Sequence, residues 1–183
     1  MASNNVNLGL GRATGMFYHA AAATALPDFP TDTLNNAWKE VGAISEDGIT
    51  LATNRDLTPL RNWAKAIERL LPAEQGATVQ APIIYTTEES FKALFGASNV
   101  TVAAANGTHG KLISVDLAAD TLPDKEAYLF IGKDGDDTFM VGTTAGWITS
   151  VDDVAFAPDD AITWTATISA DTWTIMKDDG QHT

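Results

Sequence analysis

The sequence predicts a mainly β fold, an antiparallel β-sandwich or barrel with one short flanking α-helix. Three observations carry this. The apolar runs Ala127 to Ile131 and Thr138 to Val141 flank Lys133-Asp-Gly-Asp-Asp137, whose Asp and Gly residues tolerate the left-handed conformations that tight hairpins need. From Ala161 to Ala170, Ile162, Trp164, Ala166 and Ile168 alternate with Thr163, Thr165, Thr167 and Ser169, a period of two that marks a half-buried strand. With Trp147 to Ser150 and Val154 to Ala157 between them, four or five strands follow one another without a crossover helix.

In chain order, Leu8-Gly-Leu-Gly-Arg-Ala-Thr-Gly15 approaches a dinucleotide fingerprint and fails it. Thr14 stands in the third glycine's place, and no apolar strand precedes. An N-terminal arm of about 1–13 therefore leads into a strand at Thr14 to Ala20. Pro27 and Pro30 make the next stretch a loop. Trp38 to Ile44 predicts a second strand, closed by the turn Ser45-Glu-Asp-Gly48, and Ile49, Leu51 and Thr53 predict a third. Leu60, Trp63, Ala64, Ile67, Leu70 and Leu71 then recur at helical spacing, with Thr58 as cap and Pro59 at the first turn. Periodicity alone predicts a helix over Pro59 to Leu71. Thr78 to Tyr85 returns to the sheet, with Pro82 favouring an edge or bulge. Thr87 to Phe95 is the clearest helix, with Thr86 and Glu89 as a capping box, Phe91, Leu94 and Phe95 on one face, and Gly96 as its stop. Asn99 to Ala103, a turn at Asn106-Gly107 and Lys111 to Leu117 complete the chain up to the hairpin.

A length of 183 residues with 45% apolar composition fits one domain spanning 1–183. Eleven basic against twenty-four acidic residues give a formal charge of −13, which argues against gripping nucleic acid through its phosphates. The same sign of charge suits a surface that must let a polyanion pass. There is no cysteine, hence no disulfide or thiol chemistry. Neither a signal peptide nor an 18-residue apolar run is present, so no membrane association is expected. His19, His109 and His182 are scattered, and Asp134, Asp136 and Asp137 lack the spacing of an EF-hand. No catalytic residue, cofactor or metal site is expected, and a small hydrolase using His19 or His109 is the remotest reading. Trp63 and Trp173 lie in or beside segments that an isolated subunit has little need to order, and aromatic residues are favoured at interfaces. Exposed tryptophans would equally serve a carbohydrate-binding sandwich on a virion or cell surface.

The chain resembles the major tail, or tail tube, proteins of long-tailed bacteriophages, especially those with actinobacterial hosts. The resemblance lies in Arg12-Ala-Thr-Gly-Met-Phe-Tyr18, Ala37-Trp-Lys-Glu-Val-Gly42, Ile44-Ser-Glu-Asp-Gly-Ile-Thr50, Arg55-Asp56 through Leu60-Arg-Asn-Trp63, Thr86-Thr-Glu-Glu-Ser-Phe-Lys-Ala-Leu-Phe-Gly96 and the strands from Asp153 to Ala170. It implies a structural, non-enzymatic subunit of six-membered rings that stack into a hollow tail in the virion. The lumen would hold a tape measure protein and conduct the genome, and a tail terminator and a distal tail protein would close the ends. It also implies that about 47–80 forms a long extended loop or hairpin reaching toward neighbouring subunits, against the helical reading of 59–71. Relatives often carry glycines just after the tryptophan, where this chain has Ala64 and Lys65.

The expected assembly interface is Leu57, Leu60, Trp63 and Trp173. A short tail of about 171–183 would end the chain, without an added immunoglobulin-like domain. Asp116, Asp134, Asp136 and Asp152 are candidates for an acidic inner wall past which DNA moves without specific binding.

Overall fold

A computed structural model describes residues 17–117, 123–157 and 161–180. The expected arm at 1–13 and His182 lie outside the described residues. The elements are β1 (Phe17–Ala21), β2 (Lys39–Gly42), β3 (Thr50–Arg61), β4 (Ile67–Ile83), α1 (Glu88–Phe95), a 3-10 turn (Ala97–Asn99), β5 (Val100–Ala103), β6 (Leu112–Val115), β7 (Glu126–Asp134), β8 (Asp137–Val151), β9 (Trp164–Ala170) and β10 (Thr174–Asp178).

The main sheet runs β2-β1-β7-β8-β9-β4-β3, and β5 pairs with β6 as a separate ribbon. β8 is the hinge of the fold. β10 pairs with its residues 138–142 and β9 with residues 146–151, both on the edge opposite β7. The sheet thereby folds into two leaves, β2-β1-β7-β8-β10 and β8-β9-β4-β3, in a sandwich-like arrangement that is not closed into a barrel. Phe17, Val41, Tyr128 and Phe130 of the first leaf meet Val79, Ala81, Ile83, Ala166 and Ile168 of the second in one buried cluster. Phe17 stacks on Phe130 with ring centroids 4.5 Å apart.

β7 explains why a run of consecutive apolar residues forms a strand here. Tyr128 and Phe130 face the inter-leaf core, whereas Ala127, Leu129 and Ile131 face a second cluster with Trp38 and Met140. Leu26, Leu34 and Met176 cover that cluster. A strand buried on both faces has no polar side to alternate with. β9 shows the expected alternation, with Ala166, Ile168 and Ala170 buried between half-buried Thr165, Thr167 and Ser169.

Helix α1 docks over one end of the core through Ala93 and Leu94. Phe91 and Phe95 present their rings edge-on to Trp164 at 5.3 and 5.8 Å. The capping box lies one residue later than the sequence suggests. Thr87 is the N-cap, its Oγ1 accepting from the Ser90 amide at 3.1 Å, while Ser90 Oγ accepts from the Thr87 amide at 2.6 Å. Serine closes the box at shorter reach than Glu89 could, and Thr86 instead accepts from the Trp164 indole.

Three further expectations are corrected. Residues 59–71 are not helical: they form the end of β3, a turn and the start of β4. The apolar spacing that suggests a helix has no surface to be buried against, and a helix of that length is held by such packing. Thr138 to Val141 and Trp147 to Ser150 belong to one 15-residue strand, and residues 154–157 form no strand. Pro82 sits inside β4, paired with Thr165 of β9. Its carbonyl accepts from Ser45 N at 2.8 Å, and a strand residue's N and O face the same neighbour. The missing donor therefore points away from β9, toward a side held only by the single bridge Ile44 to Ile83.

Candidate assembly surface

β9 accompanies β4 only as far as Ala77. Beyond that point, among the described residues, β3 and β4 pair only with each other, from Asn54 opposite Gly76 to Arg61 opposite Ile67. The ten residues beyond Ala77, as far as Ile67, carry this ladder roughly 30 Å past the sandwich. Residues 58–69 are all exposed. Trp63, at 104% relative exposure, stands fully in solvent, flanked by Leu60 and Ile67.

The tip is nevertheless a defined turn. Lys65 N donates to Asn62 O and Asn62 N to Ala66 O, both at 2.9 Å. The Asn62 side chain accepts from Ala66 N at 3.0 Å and donates to Glu68 at 2.6 Å. Arg61 Nη1 donates to the Lys65 carbonyl at 3.0 Å. Lys65 has φ 61°, the left-handed position of a three-residue hairpin loop where glycine is preferred. Arg61, Lys65 and Arg69 make the tip basic within an acidic chain.

Toward the base of the arm, on the sandwich, lies a groove of about 360 Å³ between residues 44–49, which lead into β3, and the turn-side half of the β7–β8 hairpin. Ile44, Ile49, Phe130, Phe139 and Val141 line it, together with Glu46 and Asp47, which are exposed. The Ser45 to Gly48 turn shapes this side, with Gly48 N donating to Ser45 O at 3.0 Å and Gly48 at φ 70°.

The four interface candidates fall in two places. Leu60 and Trp63 share the tip, and Leu57 lies on the arm backbone opposite Pro72; its side chain lies outside the description. Trp173 is on the sandwich, its ring 6.3 Å from Phe130 and its Nε1 donating to Ala77 O at 3.0 Å. The expected tail 171–183 thus contains a docked indole and a sheet strand, β10.

The acidic candidates also separate. Asp134 and Asp136 are at the β7–β8 turn, with Asp134 opposite Asp137. Asp152 follows the far end of β8, its amide bonded to Thr165 O at 2.9 Å, and Asp116 lies near it beside Val151 in a second groove. The structure does not bring the two pairs together, because the whole of β8 lies between them.

His19 is buried, with Nδ1 2.7 Å from Glu126 and Nε2 3.5 Å from Glu89, and so links β1, β7 and α1. His109 is exposed in the β5–β6 loop. Among the described residues no group of three or more His, Cys, Asp or Glu could hold a metal ion, and no helix is long and apolar enough to cross a membrane. Glu88 is held down at about 2 by hydrogen bonds from Lys111 and Lys92, tying α1 to the β5–β6 ribbon. Burial raises the Tyr128 hydroxyl above its ordinary range. The groove and the basic tip escaped the sequence reading. The clustering of Arg55, Arg61, Lys65 and Arg69 in a chain with only eleven basic residues was the available signal for the tip; the groove, drawn from distant segments, had none.

The described residues thus form a sandwich with a projecting, apolar-tipped arm. A family model described as phage tail tube protein matches residues 1–178, and the chain belongs to that family. It is a non-catalytic, tube-forming component of the virion tail that assembles with other tail components. Three solved structures have a similar chain. One is from the virion of a native gene transfer agent particle, with 9% identity, TM-score 0.41 and coverage of 78% of this chain and 92% of that chain. A chain of the anti-feeding prophage tube-terminating cap has 11% identity, TM-score 0.43 and coverage of 97% and 100%. A chain of the sheath–tube complex of an extracellular contractile injection system, in its extended state, has 9% identity, TM-score 0.42 and coverage of 88% of each. No curated protein matches the chain.

Proposed function

We propose that this subunit forms hexameric rings that stack into the tail tube of a long-tailed phage with an actinobacterial host, and that the lumen conducts the genome into that host. The observation that carries the reading is the arm. In a chain matched to tail tube proteins over residues 1–178, twelve consecutive exposed residues with an apolar tip are held clear of the subunit's own core. The segment 47–80, with Leu57, Leu60 and Trp63, is the inter-subunit element; the arm at 1–13 and the region around Trp173 supply further contacts around the single domain 1–183. A ring requires heterologous contacts, in which one face meets a different face of the next copy.

Within the tube a tape measure protein occupies the lumen before ejection, and a tail terminator and a distal tail protein cap the two ends. The formal charge of −13 per copy keeps DNA mobile where acids reach the bore. Asp116 with Asp152, and Asp134 with Asp136, can line the same bore only if β8 runs along the wall rather than radially. Negative-stain microscopy of concentrated wild-type protein tests the reading: annuli and tubes with six-fold end views are expected, and a strictly monomeric species under all assembly conditions, tail initiator components included, overturns it.

A further inference from the structure

The arm tip is exposed, and the groove is an apolar crevice whose floor, Ile44 and Phe130, is buried and whose walls, Ile49, Phe139 and Val141, are half-buried. We propose that the groove lined by Ile44, Ile49, Phe130, Phe139 and Val141 receives the Trp63 tip of a second copy of this chain. The inference rests on the tube reading and adds a specific knob and hole to it. At about 360 Å³ the groove is of the size that holds a compact apolar group, since small-molecule sites start at about 300 Å³. Its mouth carries Glu46 and Asp47, and the tip carries Arg61, Lys65 and Arg69. The charges are complementary. The tip's own acid, Glu68, keeps its charge while accepting from the neutral Asn62 amide, and one acid against three basic residues leaves the tip net basic.

Two further points select a second copy as the occupant. The arm runs outward from the sandwich, roughly 30 Å beyond the last residue held by β9, so it projects away from the groove at its own base. The turn is also organised before any contact forms, by the Asn62 and Arg61 hydrogen bonds, which lowers the ordering cost of insertion. Because knob and hole are different surfaces, each copy acts once as donor and once as acceptor. Such contacts propagate into rings or filaments and do not close as a two-fold dimer.

The absence of cysteine permits a direct test. Ala64→Cys and Thr50→Cys change exposed positions next to the tip tryptophan and the groove while leaving Trp63, the apolar lining and the charged residues of both surfaces intact. The two variants are purified separately, mixed, assembled and treated with a short bismaleimide. Covalent dimers joined through positions 64 and 50 are expected, at least about tenfold more abundant than in either variant alone, because docking raises the local concentration of the pair. Tubes that form normally without this crosslink overturn the docking and leave the tube reading standing. Failure of the wild-type protein to assemble at all removes the tube reading and the docking with it.

Discussion

The chain contains two long antiparallel hairpins with opposite surroundings. The β7–β8 hairpin turns through Gly135 at φ 60°, the residue type required at the first position of a II′ turn, and Tyr128, Leu129, Phe130, Ile131 and Met140 are buried behind it. The β3–β4 arm turns through Lys65, also in the left-handed region, and beyond Ala77 it has no further strand beside it among the described residues. Each turn can set the register of its own hairpin. Only the first hairpin is also held by what packs on it, and a two-stranded ribbon alone is marginal in water. The difference separates residues that keep the subunit folded from residues left available to another molecule.

The largest test of that separation is a pair of truncations. Phe130→Ala should cost about 3–5 kcal/mol of subunit stability, as removal of a buried aromatic does, and appear as a large fall in Tm. Trp63→Ala should leave the Tm of the isolated subunit nearly unchanged and raise the protein concentration needed for assembly by about tenfold or more, as loss of an interface aromatic does. A large fall in Tm for Trp63→Ala would erase the distinction between the hairpins.

Hydrogen exchange sharpens the comparison. Amides of 54–76 should exchange quickly in the free subunit and slow markedly on assembly, while those of 127–142 should be protected in both states. Equal protection of the arm before and after assembly would contradict its role as the inter-subunit element.

A smaller effect is expected at the arm's turn. Lys65→Gly relieves a left-handed lysine and should stabilise the turn by about 1 kcal/mol, read as slower exchange of Asn62 and Ala66 amides in the free subunit. Unchanged exchange would mean that the Asn62 and Arg61 bonds already hold the turn. The smallest effect concerns acid. Glu88 is depressed from 4.5 to about 2, so the stabilisation it supplies is present above about pH 4.5 and is lost as pH falls toward 2. Glu88→Gln should lower Tm slightly at neutral pH and flatten the acid limb, so that variant and wild type converge as pH falls toward 2; an unchanged limb would show that the Lys111 link is immaterial to stability.

Much of the sheet was legible because its signals are local. The alternation in β9 and the apolar run of β7 are set by which faces a strand buries, and the Asp-Gly turn is set by which residues tolerate positive φ. The helix was legible for the same reason, although its cap shifted by one residue because Ser90 answers Thr87 at shorter range than Glu89 could answer Thr86. The resemblance to tail tube proteins also rests on short segments that survive as read, among them Ile44 to Thr50 at the start of the arm. The acidic wall is different in kind: the chain states the charge and leaves open which carboxylates share a surface.

What the sequence by itself determined, then, is strands such as β1, β7 and β9, the single helix and the excess of acid, each of which follows from a residue's own conformational and solvation preferences. The tertiary structure decided between two readings of Leu60, Trp63 and Ile67: their spacing of three and four residues suits a helix face, yet they stand on the extended hairpin that the resemblance implied, because no surface is there to bury a helix face. It alone decided that Trp173 is docked on the sandwich, that β8 serves both leaves, and that Ile44, Ile49, Phe130, Phe139 and Val141 surround one groove. These residues come from segments separated by some eighty positions, and such a site exists only once long-range pairing has brought the segments together.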